Sequence, residues 1–195
     1  DRSPSRGLGD VYKRQELKPN KRLARHWLKR SSDQGYVLAD YALAEFYYRR
    51  KKPCVRLAKK YVKRAVNAHL FKAYDLLGTF YLEGFGYKKN EKKAFALFLE
   101  AAEHQELAAM YHLGYCYKLG LGIQRDDKAM LYWYKKAAEH NEVHALYELG
   151  MCYLWGIGTL ISYPKAYGYF KRGKELGFHD LSLIHISEPT RRTPI

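Results

Sequence analysis

Three groupings in this sequence have residue types and spacings that chemistry uses. Ser162-Tyr163-Pro164-Lys165 spells Ser-x-x-Lys, a serine nucleophile one helical turn from a lysine base. No Ser-Asp-Asn or Lys-Thr-Gly accompanies it. Ser162 instead opens a helical pattern, where a hydroxyl caps free amide groups. His140 and His144 are four apart, the spacing at which one helix offers two imidazoles to a metal. Asn141 and a helix boundary fall between them, so the pattern puts them on different helices, exposed and unbound. Gly-x-Gly, which in other contexts cradles phosphate, occurs at Gly84/Gly86, Gly120/Gly122 and Gly156/Gly158. Its recurrence at one fixed spacing marks a connector. No catalytic residue, metal ligand or cofactor is assigned.

The elements that carry these residues are helices. In residues 106–141, Ala109, Leu113, Cys116 and Tyr117 follow i, i+4, i+7, i+8, one apolar helical face. The Gly120–Gly122 turn ends that helix. Asp126 is placed to cap a second helix, whose apolar face is Met130, Trp133, Tyr134, Ala137 and Ala138. Asn141 stands where a left-handed terminator is needed. Gly114, inside the first helix, costs about 1 kcal/mol against alanine. That cost predicts close approach of a neighbouring helix backbone.

The unit repeats. Gly78, Gly114 and Gly150 are spaced by 36 residues, and the Gly-x-Gly pairs keep the same step. Asp126 lands on Asn90 and Ser162, Tyr117 on Tyr81 and Tyr153, and Trp133-Tyr134 on Leu97-Phe98 and Tyr169-Phe170. A fixed period of this length is the signature of a solenoid. LGYCYKLGLGI with WYKKAAEH, LLGTFYLEGFGY with LFLEAAEH, and ELGMCYLWGIGT with YFKRGKELG resemble the Sel-one-like repeat family, relatives of the tetratricopeptide repeats. Met130 and Gly173-Lys174 depart from its usual alanines. The resemblance implies an all-α, right-handed solenoid of about four and a half helix pairs. It also implies a non-enzymatic scaffold or adaptor that binds a protein or peptide on its concave face.

A single domain is expected over 16–180: a lone second helix at 20–34, then repeats at 36–69, 70–105, 106–141 and 142–177. In the first of these, Arg49-Arg50-Lys51-Lys52-Pro53 replaces the Gly-x-Gly turn. The ends, 1–15 and 181–195, resemble translated sequencing-adapter read-through, and Pro189 would fall in the helical slot of Tyr153. The chain starts without methionine, inside a repeat, so its start is uninformative about a signal peptide. No apolar run approaches the ~20 residues of a membrane span. Cys54, Cys116 and Cys152 lack metal or disulfide spacing, which points to a reducing, cytoplasmic setting and three free thiols. A monomer without cofactors is expected.

Two surfaces are candidates for partners. The first helices line the concave face of such solenoids, and one column lies off their core stripe. It holds Tyr111 and Tyr115, then Tyr147, Met151 and Trp155, with Asp75 and Thr79 in the preceding repeat. Aromatic and methionine side chains in such a column suit protein contact. The rival surface is basic. Residues 16–69 hold 15 Lys/Arg against 4 Asp/Glu, a net +11, whereas 70–180 hold 14 against 13, a net +1. Arg49, Arg50, Lys51 and Lys52, then Arg56, Lys59, Lys60 and Lys63, interleave with Tyr47, Tyr48 and Tyr61. That mixture fits an anionic partner, nucleic acid or acidic protein, though no base-reading motif is present.

Overall fold

The computed structural model describes residues 20–178, and its regular structure there is entirely helical. The helices are α1 (Lys21–Asp33), α2 (Val37–Tyr48), α3 (Val55–Asn67), α4 (Phe71–Glu83) and α5 (Glu91–Glu103). They continue as α6 (Leu107–Leu119), α7 (Asp127–Glu139), α8 (Val143–Trp155) and α9 (Tyr163–Glu175). The adapter-like segments 1–15 and 181–195 lie outside the described residues. The chain divides after Ala65 into two compact units.

The C-terminal unit is a helical-repeat solenoid in which α4 packs on α5, α5 on α6, and so on to α9. Its caps follow the sequence closely. The Asp126 carboxylate accepts from the amides of Lys128 and Ala129 at 2.8 and 3.0 Å, and Asn90 Oδ1 accepts from Lys93 at 2.9 Å. Asn141 has φ 63°, the left-handed terminator expected. Ser162 is a correction. It holds the N-cap backbone conformation, but its hydroxyl makes no capping bond, and Pro164 occupies the first turn. A second set of bonds recurs along the chain. The amides of Cys54, Asn90, Asp126 and Ser162 donate to the carbonyls of Tyr47, Tyr81, Tyr117 and Tyr153 at 2.8–3.2 Å. Each pins the start of a second helix to the end of its first.

The glycine inside each first helix has a different cause from the one expected. What approaches Gly114 is a side chain, not a backbone: a Cβ there would collide with the Tyr134 ring. Gly78 faces Phe98 in the same way, with the ring 2.6 Å from where a Cβ would stand, and Gly150 faces Phe170. The second aromatic of each pair is therefore the core residue. Tyr134, Phe98 and Phe170 are buried, whereas Trp133, Leu97 and Tyr169 are half-buried. Backbone contact does occur, at another glycine. Gly122 abuts the Glu91 carbonyl, and a Cβ on Gly158 would lie 2.7 Å from the Asp127 carbonyl oxygen. The second glycine of these two turns thus rests on the start of the preceding repeat's second helix.

In the N-terminal unit, Tyr47 of α2 and Tyr61 of α3 stack at 5.9 Å and are buried. A buried polar network ties three helices together. Ser32 Oγ donates to Asp40 Oδ1 at 2.6 Å. Arg64 donates to Ser32 Oγ and the Ser32 carbonyl at 3.3 and 3.1 Å, with its Nε 3.3 Å from Asp40 Oδ2. On α1 the positions matched to core slots are open: Ala24 and Trp27 are exposed and Leu28 is half-buried.

Two substitutions test the ring-on-glycine contact. Overpacking an enclosed site costs about 1–3 kcal/mol, against about 1 kcal/mol that alanine gains over glycine in a helix. The Tyr134 ring is fully buried and has nowhere to move. Gly114→Ala should lower the melting temperature, and much less so in a Tyr134→Leu background. A higher melt for Gly114→Ala alone would show that the ring does not demand the glycine. The Tyr134 hydroxyl is buried without a hydrogen-bond partner, while the equivalent residues are Phe98 and Phe170. Tyr134→Phe should therefore stabilise by about 1 kcal/mol, about 2–4 °C for a chain of this size. A lower melt would reveal a partner for that hydroxyl.

Candidate functional site

The first helices of the C-terminal unit are joined by polar side-chain contacts. Asp75 of α4 meets His112 of α6, Oδ1 to Nδ1, at 2.6 Å. Lys118 of α6 meets Glu148 of α8 at 2.7 Å. His112 and Glu148 occupy the same place in successive repeats, and each reaches back to the helix before it. His112 also lies on the Phe98 ring, with centroids 4.8 Å apart. These pairs fix the spacing of the face that carries the aromatic column.

The column is more enclosed than its place off the core stripe implies. Tyr111 is half-buried, with ring centroids 6.0 Å from Tyr134 and 5.3 Å from His144. Tyr147 lies 5.8 Å from Phe170 and 5.4 Å from Phe178, and Met151 packs on the same small cluster. Tyr115 is half-buried. Asp75 is engaged by His112, and the Thr79 hydroxyl donates to the Asp75 carbonyl at 3.1 Å. Trp155, at the end of α8, is 65% exposed.

Beside Trp155 the last turn changes character. In two repeats this turn carries a solvated ion pair, Lys89–Glu91 at 2.9 Å and Arg125–Asp127 at 3.0 Å. The equivalent residues in the last repeat are Ile161 and Tyr163, next to Leu160, and all three are exposed. The sequence reading missed this patch because each residue lies outside the helical apolar stripe. Register against the earlier repeats was the available signal.

The basic residues belong to the N-terminal unit. Arg49 is exposed and pairs with Glu45 at 3.1 Å, and Arg50 lies 5.9 Å from the Phe46 ring. Lys51 and Lys52 are exposed in the turn, and Arg56, Lys60 and Lys63 are exposed on α3, with Lys59 half-buried. Tyr47 and Tyr61, expected to interleave with these charges, are core residues stacked on each other. The remaining chemical candidates separate. His140 ends α7 while His144 belongs to α8, where it meets Glu142 at 2.9 Å. The Lys165 ammonium lies 5.3 Å from the Tyr153 ring. Among the described residues no His/Cys/Asp/Glu cluster could hold a metal ion, and no helix is long and apolar enough to cross a membrane.

This geometry meets a family pattern. The Sel1 repeat model matches residues 6–36, 34–50, 72–105, 107–142 and 143–178. The chain belongs to the Sel1 repeat family. Its first match begins inside the segment 1–15 that the sequence set aside as foreign. Among solved structures, a Sel1 repeat protein from Oxalobacter formigenes is 26% identical, with a TM-score of 0.70 over 80% of this chain and 62% of its own. A protective antigen of uropathogenic Escherichia coli with an SLR fold is 24% identical, with a TM-score of 0.68 over 78% of this chain and 33% of its own. This chain therefore spans less than two thirds of both proteins. Cysteine-rich protein B of Helicobacter pylori is 26% identical, with a TM-score of 0.51 over 63% of this chain and 92% of its own. No curated protein sequence matches. Sel1 repeats are generally protein-interaction scaffolds.

The titratable groups beneath the face enter the fold neutral. Burial, with Glu91 near, pushes the Cys116 thiol up to about 12, and burial pushes Cys152 up to about 11. Burial, with Glu148 and Glu142 near, pushes the Tyr111 phenol up to about 12. The unfolded chain gives up these protons first, from about pH 8.5 for cysteine and about 10 for tyrosine. Their contribution is complete below those values and is lost as pH rises toward 11–12. The melting temperature should fall progressively above about pH 8.5, and less steeply in Cys116→Ala/Cys152→Ala. Equal slopes for variant and parent would remove the thiols from the account.

Proposed function

We propose that this Sel1 repeat chain is a non-enzymatic scaffold. It holds a protein or peptide segment against the first-helix face of its C-terminal unit, expected to be concave. The observation that carries this reading is Trp155. A tryptophan 65% exposed stands at the end of a column otherwise half-buried, next to an apolar turn where the other repeats keep ion pairs. A single exposed aromatic beside half-buried ones is the arrangement of a binding anchor with its rim. In this reading Tyr115, Tyr147 and Met151 form the floor. Tyr111 and Asp75 hold the floor in place through their contacts with His144 and His112, and the Thr79 hydroxyl donates to the Asp75 carbonyl. The chain acts as a monomer, and its three unpaired cysteines fit a reducing compartment such as the cytoplasm.

The exposed anchor separates binding from folding. Trp155→Ala should leave the melt within a degree or two, since little of the side chain packs, whereas Phe98→Ala should cost about 3–5 kcal/mol of folding. Peptides selected on the parent protein from a random display library should bind Trp155→Ala about tenfold more weakly, the loss of a hot spot of roughly 1–4 kcal/mol. Selected peptides that ignore Trp155→Ala but need Arg49, Arg50, Lys51 and Lys52 would move the site to the other unit.

A further inference from the structure

A second surface, in the N-terminal unit, goes beyond that reading. α1 is exposed on every side over residues 21–27 and meets its unit through Leu28, Ser31 and Ser32. Leu23, Ala24 and Trp27 stand at i, i+1 and i+4, one apolar stripe. Lys21, Arg22, Arg25 and Lys29 occupy the other side of the helix, and Arg30 lies over the Trp27 ring at 5.5 Å. Tyr36 and Leu38, also exposed, follow where α2 begins. We propose that α1 lies on an anionic membrane surface, with Leu23 and Trp27 at the acyl boundary and its cations among the lipid headgroups.

Folding gives no reason for these apolar residues. Leu23 holds the slot of Lys93, Ala129 and Lys165 in later repeats, and both lysines are exposed. Leu38 holds the slot of Lys72, Ala108 and His144, of which Lys72 and His144 are exposed. The repeat turns these positions outward, so a large apolar side chain there gains nothing from packing. Trp27 differs in degree: its equivalents Leu97, Trp133 and Tyr169 are half-buried, whereas it is more than half exposed. Apolar side chains on one side of a short helix and Lys/Arg on the other are the pattern of a helix lying in a bilayer interface. At 13 residues α1 is too short to cross, so the contact is with the surface.

The sign of the headgroups follows from the cations. α1 carries five Lys/Arg against one acid, Asp33, and a basic amphipathic helix gains from negative lipid. The choice of lipid over nucleic acid follows from the leucines. Trp27 and Tyr36 offer rings on which bases can stack. Leu23 and Leu38 offer nothing to a base, but they bury well among acyl chains. Tryptophan and tyrosine suit the same place, one end of the ring apolar and the other wet.

The test is sedimentation of the full chain with vesicles, one set of phosphatidylcholine alone and one of equal parts phosphatidylcholine and phosphatidylserine. The parent should sediment with the mixed vesicles and far less with phosphatidylcholine alone. Leu23→Lys separates insertion from charge. It adds a cation and removes an apolar anchor, at an exposed slot where later repeats hold lysine, so the melt should not change. Insertion predicts binding about tenfold weaker. Attraction by charge alone predicts tighter binding, and that result would overturn the proposal. Trp27→Ala should weaken binding to a similar degree; if that variant melts early, Leu23→Lys carries the test alone. K60Q/K63Q removes two charges from α3 and should weaken binding only about twofold. Equal binding to phosphatidylcholine alone, or no binding to either set, would also overturn the proposal. So would a thymidine oligonucleotide bound more tightly than the mixed vesicles and lost in Trp27→Ala, which would assign the exposed rings to nucleic acid.

Discussion

An aromatic ring pressed on a helical glycine is the contact on which the rest of the C-terminal unit depends. It occurs at Gly78 with Phe98, Gly114 with Tyr134 and Gly150 with Phe170. Glycine in mid-helix costs about 1 kcal/mol, and enclosing a large side chain returns roughly 1.5–3 kcal/mol. The exchange favours the contact. It also sets how near the two helices of a pair lie. At that distance the Tyr81, Tyr117 and Tyr153 carbonyls reach the amides that begin the second helices. A bulkier residue at any of the three glycines would part both contacts together.

Beyond the apolar core they share, the pairs are joined to one another by two further kinds of contact. On the first-helix side the joints are polar side chains, Asp75 hydrogen-bonded with His112 and Lys118 paired with Glu148. At the turns they are main chain on main chain, Gly122 on Glu91 and Gly158 on Asp127. These side-chain joints are partly open to solvent, and such contacts contribute little to stability. Their effect is positional: they hold Tyr111 and Tyr115 over the core while Trp155 stays in water.

Much of this was legible in the sequence, and the omissions have physical causes. The helix pairs, the Asn90 and Asp126 caps and the left-handed Asn141 follow from periodicity and from which residues satisfy free amides. Gly114 announced that space was needed there. Spacing along one chain does not say whether a backbone or a ring fills that space. The column at Tyr111, Tyr115, Tyr147 and Met151 lies off the central stripe by its helical phase alone. Its partial burial comes from His144, Phe170 and Phe178, which sequence distance does not bring near. The Ser32–Asp40–Arg64 network left no trace at all. Its members are polar residues on three helices, each indistinguishable in sequence from a solvated side chain. The interleaved Tyr47 and Tyr61 misled for the opposite reason, since their neighbours are basic while their own helical phase is that of the core.

The seats of Gly122 and Gly158 on the preceding repeat carry a consequence for how such chains change. The joint involves peptide groups on one side and a residue without a side chain on the other. Peptide groups are the same in every repeat, so the joint contains no sequence code that a neighbour must match. A repeat copied in tandem within its gene would find its seat already made. Lengthening the array, or exchanging the order of its units, asks selection to rewrite side-chain joints such as Lys118 with Glu148, and leaves these seats as they are.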